Sequence, residues 1–136
     1  MTLTTRITAP GLVIGTVAGV FTALFMLVAG APPAWAVTGG LMLAAPLAAF
    51  GAGCSALRLR GVFRGGAFAP VALYWLIAFP LARLVQEVGT RLVVGDSFAL
   101  PPQPVSFLVY QALISVGFAI GFVWVQERLV RGGADR

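Results

Sequence analysis

Four apolar runs, each about twenty residues or longer and joined by short turn-rich links, leave few folds open to this chain. They cover about 10–30, 35–57, 69–94 and 104–126. A helix of roughly twenty residues crosses a ~30 Å hydrocarbon core, and inside that core every backbone amide and carbonyl must be satisfied within the segment. The reading is therefore all-α: a polytopic membrane protein, a single domain over 1–136, with four transmembrane helices in two hairpins. Charged residues make up 10% of the chain and hydrophobic ones 60%. A soluble domain is about a quarter charged, so this chain has too few charges to coat a water-soluble globule of its size.

The third run departs from the others. Pro80-Leu81-Ala82-Arg83-Leu84-Val85-Gln86-Glu87-Val88-Gly89-Thr90-Arg91 puts an arginine and a glutamate four residues apart inside an apolar stretch. At 100° per residue Arg83, Gln86, Glu87, Thr90 and Arg91 share less than half of the helix circumference, forming one polar face. Arg83 lies about thirteen residues past Pro70, or ~20 Å along the axis, near the middle of the membrane or just beyond it. The Leu, Ile, Val and Phe residues of this run supply only ~3–6 kcal/mol of insertion free energy, while one central arginine costs ~3 kcal/mol on the same scale.

The charges must therefore be sheltered or used. The i, i+4 pair Arg83–Glu87 partly neutralises itself, and Arg91 is close enough to the end to snorkel outward. Gln111 and Ser115 of the fourth run fall at about the depth of Glu87. The expected binding cluster is Arg83, Gln86, Glu87 and Gln111, joined by Ser115 or Tyr110. A clasp that holds the bundle together and a site for an ion, a proton or an anionic headgroup both fit this pattern.

Small residues recur at helical spacing: Gly15 and Gly19 in the first run, Gly40, Ala44 and Ala48 in the second with Ala45, Ala49 and Gly53 beside them, and Gly117 and Gly121 in the fourth. Such faces let membrane helices approach closely. Pro46 and Pro80 each remove one helical hydrogen bond and are expected to kink their helices, Pro80 by freeing the Leu76 carbonyl. Ala34-Trp35-Ala36 has the form of a signal-cleavage site, but one basic residue, Arg6, precedes it and a second apolar run follows at once.

All nine basic residues are arginine, and the formal net charge is +5. The N-terminal segment holds Arg6, the middle link Arg58, Arg60 and Arg64, and the C-terminal segment three arginines against two acids. Arg91 against Asp96 cancels on the other side, and Arg83 against Glu87 within the membrane. By the bias of arginine toward the cytoplasm, both termini and the middle link face inward. Anionic lipid headgroups are the partners expected at Arg58, Arg60 and Arg64; nucleic acid is not expected. The bacterial inner (plasma) membrane is the expected location, the arginine-only basic set with much Ala, Gly and Pro pointing to a GC-rich bacterial genome. A faint repeat, with Ala9-Pro10 and Ala69-Pro70 each leading to a Pro-Pro turn and an arginine-ended helix, resembles a pair of parallel hairpins.

With no histidine and a single cysteine, Cys54, the chain has no internal disulfide, histidine-ligated haem, histidine-type zinc site or histidine-based triad, and no cofactor is expected. One membrane glutamate is the only candidate base, so an enzyme is not expected. The primary expectation is a non-enzymatic subunit of a larger membrane assembly, for transport among other roles. The alternative is a small oligomeric transporter or channel for an ion or small solute that uses the Arg83–Glu87 stripe.

Overall fold

The computed structural model describes residues 2–61, 68–95, 98, 100–134, with side chains described as far as 129. Four helices run in chain order: α1 (Leu3–Val28), α2 (Pro33–Leu59), α3 (Phe68–Val94) and α4 (Pro104–Ala134). There is no strand among the described residues. Each helix is long and apolar enough to cross a membrane, α4 over Pro104–Leu129. At 1.5 Å per residue the shortest, of 26 residues, is ~39 Å long.

Two helices outrun their apolar segments. α1 starts at Leu3 rather than near Pro10, because Thr2 caps it: its hydroxyl accepts from the Thr5 amide at 3.2 Å. Thr8 adds a bond from its hydroxyl to the Thr4 carbonyl at 2.9 Å. α4 continues to Ala134, past Glu127 and Arg128. Arginine and glutamate are good helix formers, so leaving the apolar run does not end the helix. α2 begins on Pro33, where a missing N–H costs nothing. All helices stay continuous through their prolines, Pro10, Pro46 and Pro80.

The tight α1–α2 link closes on Gly30, whose φ of 90° is open to glycine at little cost. The amides of Ala29, Gly30 and Ala31 bond back to the carbonyls of Phe25, Leu27 and Met26 at 2.9–3.0 Å, so this helix end is satisfied before the chain turns. Successive helices are antiparallel and form a four-membered ring. α1 lies along α2, α2 along α3 and α3 along α4, while α1 and α4 meet over a much shorter length.

The contacts differ in kind. α1 and α2 touch backbone to backbone along Gly11, Gly15 and Gly19. A β-carbon on Gly15 would sit 2.8 Å from the Ala44 carbonyl oxygen, and one on Gly19 2.7 Å from that of Gly40. α3 and α4 are instead spaced by aromatic rings. Trp75 packs edge-on against Phe118 with centroids 4.7 Å apart and tilts against Phe122 at 5.1 Å, and Phe79 lies 4.9 Å from Phe118. Tyr74 completes the layer and donates to the Phe50 carbonyl of α2 at 2.6 Å. The Gly117–Gly121 pair of α4 has no such contact: among the described residues nothing lies near Gly117, and only an Ile14 methyl reaches Gly121.

Bulk is distributed opposite to a soluble bundle. The buried face of α1 is Pro10, Gly11, Gly15 and Gly19, while Phe21 is 70% and Phe25 66% exposed. Leu12, Val17, Val20 and Leu24 also point outward, and comparable rows of exposed apolar residues run along α3 and α4. An apolar belt of this extent fits hydrocarbon surroundings. The fold is thus compatible with a small multi-pass membrane protein.

Because the Gly15 site is bounded by backbone, Gly15→Leu is expected to lower stability by at least the ~1–3 kcal/mol typical of overpacking. Gly117→Leu, on an open face, should leave the stability of the single chain unchanged. Thermal unfolding in mild detergent, followed by size-exclusion chromatography, checks both.

Candidate functional site

The polar face of α3 lies against a cavity of about 760 Å³ at the end of the bundle formed by the C-termini of α1 and α3 and the N-termini of α2 and α4. This volume is in the range of small-molecule sites. α1 and α4, the neighbouring helices that meet least, both border it. α1 contributes Phe21, Thr22 and Phe25 to the wall, α4 contributes Gln111, Ile114 and Phe118, and α2 contributes Trp35 and Gly39.

Three charged side chains line it: Arg83, Glu87 and Arg91. Helical spacing sets them one turn apart, with the glutamate in the middle. Arg83 Nη2 is 3.7 Å from Glu87 Oε1 and Arg91 Nη2 is 3.8 Å from Glu87 Oε2. Arg83 and Glu87 side chains are 22% and 32% exposed, so neither is sealed in the packed core nor extended into open surroundings. Both separations are too long for a direct hydrogen bond; the row is held by charge. Arg83 Nε donates to Gln111 Oε1 of α4 at 3.3 Å, and its guanidinium lies over the Phe107 ring at 5.6 Å.

The remaining residues of the expected cluster take different places. Gln86 is buried and turns toward α2, where its Nε2 donates to the Gly39 carbonyl at 3.0 Å. This fixes its amide orientation and leaves Oε1 without a hydrogen bond among the described residues. Tyr110 stands exposed at the rim of the cavity. Ser115 is fully buried but outside the cavity lining, and its hydroxyl bonds to the Ala112 carbonyl of its own helix at 2.5 Å. The structure thus brings Arg83, Glu87, Gln111, Gln86 and Tyr110 around one space, and it places Ser115 elsewhere.

Thr90, Arg91, Thr22 and Trp35 also line the space. Thr90 and Arg91 were on the polar face of the third run and carried that signal. Arg91 reaches back to Glu87 instead of snorkelling away. Thr22 and Trp35 carried no such signal, because their position depends on how α1 and α2 dock.

At the opposite end Arg58 of α2 donates to the buried Gln126 of α4, which takes it out of the set of freely exposed arginines. Arg60 is exposed, and Arg64 lies outside the described residues. No group of three or more metal-ligating side chains occurs among the described residues. Cys54 is a buried free thiol among apolar neighbours. Fold and site together define an apolar four-helix bundle with a half-enclosed, charge-lined cavity. No protein family, curated protein or solved structure matches this chain.

Since Glu87 is the one negative charge between two positive ones, Glu87→Gln is expected to cost more stability than Arg91→Gln. The loss should stay below the ~3–5 kcal/mol of a fully buried pair, given the partial exposure. Parallel thermal unfolding of the two variants measures the difference.

Proposed function

We propose that the chain is a multi-pass protein of a bacterial inner membrane, with both termini cytoplasmic, that binds a small solute in the α1–α4 cavity as a component of a transport system. One observation carries this reading over a purely structural clasp: the Arg83–Glu87–Arg91 row borders open space of about 760 Å³. A clasp would be packed on all sides by the helices it joins. Here, among the described residues, α4 supplies one weak hydrogen bond through Gln111 and α1 supplies no polar partner to any of the three charges.

The orientation follows from the arginine bias, with Arg6, Arg58 and Arg60 at the end away from the cavity, so the cavity faces the non-cytoplasmic side. A second reading, an accessory subunit docked on a larger assembly, draws support from α4. Gly117 faces open space beside exposed Leu113, Ile120 and Trp124, and such a face suits close approach of another membrane helix. The two readings are compatible, because the cavity and the Gly117 face are different parts of the bundle.

In a Cys54→Ala background, a cysteine replacing Thr22 on the cavity wall should react with N-ethylmaleimide in intact cells, while one replacing Ser115 should stay inert. Failure of the Thr22 cysteine to react overturns the solute-binding reading. A cysteine at Gln103 should label from outside with an impermeant maleimide and one at Thr4 only after permeabilisation; the reverse pattern inverts the topology.

A further inference from the structure

We infer that the cavity takes a single-chain amphiphile with a singly negative head, which enters sideways between α1 and α4. This rests on the solute-binding reading above and specifies its substrate class.

Charge is the first observation. The lining carries two guanidiniums and one carboxylate, an excess of one positive charge against largely apolar walls. Uncompensated charge in such surroundings is costly, and one bound anion removes the excess. Unused hydrogen-bonding capacity is the second. A guanidinium has five N–H donors, yet Arg83 makes one hydrogen bond, at 3.3 Å, and its Glu87 contact is too long to be another. Among the described residues the Arg91 side chain has only its 3.8 Å approach to Glu87. Both arginines can therefore turn donors toward an anionic head without breaking a bond already made. Gln86 and Thr90 line the same wall, only 4% and 5% exposed, and their Oε1 and Oγ1 atoms make no hydrogen bond among the described residues.

The third observation separates an amphiphile from a small soluble anion. All three charges stand on α3, whereas the facing walls are Phe21 and Phe25 of α1 and Ile114 and Phe118 of α4. A compact anion would leave those walls unfilled, while an acyl chain covers them. Phe21 and Phe25 are also among the most exposed residues of α1 and face outward at the sparse α1–α4 seam. The mouth of the cavity is therefore apolar and level with the bilayer interior, which gives a lipid-borne molecule a route that a hydrated ion would avoid. The head lies at the level of Arg83 to Arg91, and the chain runs deeper, toward Phe118.

Carboxylate and phosphate heads share this chemistry, and the probes distinguish them. The full chain with Thr22→Cys and Cys54→Ala, in phosphatidylcholine nanodiscs, is labelled with maleimide in the presence of palmitate, palmitoyl-lysophosphatidylglycerol, hexadecanol, acetate or inorganic phosphate. Palmitate or lysophosphatidylglycerol should slow labelling at least about tenfold more than hexadecanol, the difference expected for one or two charge-assisted hydrogen bonds. Acetate and phosphate should leave it unchanged. Arg83→Gln should abolish that preference, and Arg91→Gln, at a more peripheral position, provides the same readout should Arg83→Gln fail to fold. Equal protection by hexadecanol, or protection indifferent to both arginine variants, overturns the anionic head and leaves solute binding intact. Protection by acetate or phosphate alone overturns the amphiphile. A thiol that labels readily and that no probe protects overturns the whole inference, whereas a thiol that never labels overturns the solute-binding reading beneath it.

Discussion

The backbone contact between α1 and α2 is the constraint on which the rest of the bundle depends. Glycines at 11, 15 and 19 bring α1 so close to Gly40, Ala44 and Ala48 that no side chain intervenes. α3 and α4 are held apart by Trp75, Phe79, Phe118 and Phe122. A ring of four helices with one glycine seam and one aromatic seam cannot close evenly, and the shortfall appears where α1 and α4 face each other. Dispersion over the glycine seam is the main attraction available if lipid surrounds the bundle, since transfer from lipid to protein offers apolar groups little gain.

That shortfall explains how α3 carries three charges. Arg83, Glu87 and Arg91 would be prohibitive against hydrocarbon and unfavourable in a tight core. Bordering the gap, they keep partial exposure and compensate one another along a single helix face. Their support from other helices is slight: Gln111 by one long hydrogen bond and Phe107 by its ring. The geometry of the row is thus set by the α-helix itself, through the four-residue spacing.

Much of this was legible in the residue pattern. Run lengths and the low charge content pointed to four helices, and the Gly15–Gly19 face does meet the Gly40–Ala44–Ala48 face. The same signal at Gly117–Gly121 leads to no backbone contact among the described residues, because small-residue spacing says that a face can pack closely and not what it packs against. The polar wheel of α3 placed Arg83, Glu87 and Gln111 around one space. Gln86 borders the same space, and what the wheel did not carry is its hydrogen bond to the Gly39 carbonyl of α2, which depends on how α2 and α3 dock. Ser115 shared a face with Gln111 by spacing, but a hydroxyl within reach of its own helix carbonyl bonds there first. The helix ends were least legible. Threonine capping at Thr2 extends α1 and helix-forming charged residues extend α4, and neither registers in hydropathy.

The aromatic layer has a consequence for directionality. Trp75, Phe79, Phe118 and Phe122 form a floor beneath the cavity, with Arg58 and Gln126 tied together farther on. The bundle is therefore a cup with one blind end. Anything lodged inside leaves by the rim or the side slit unless several large rings rotate away together, a concerted rearrangement that close packing makes slow.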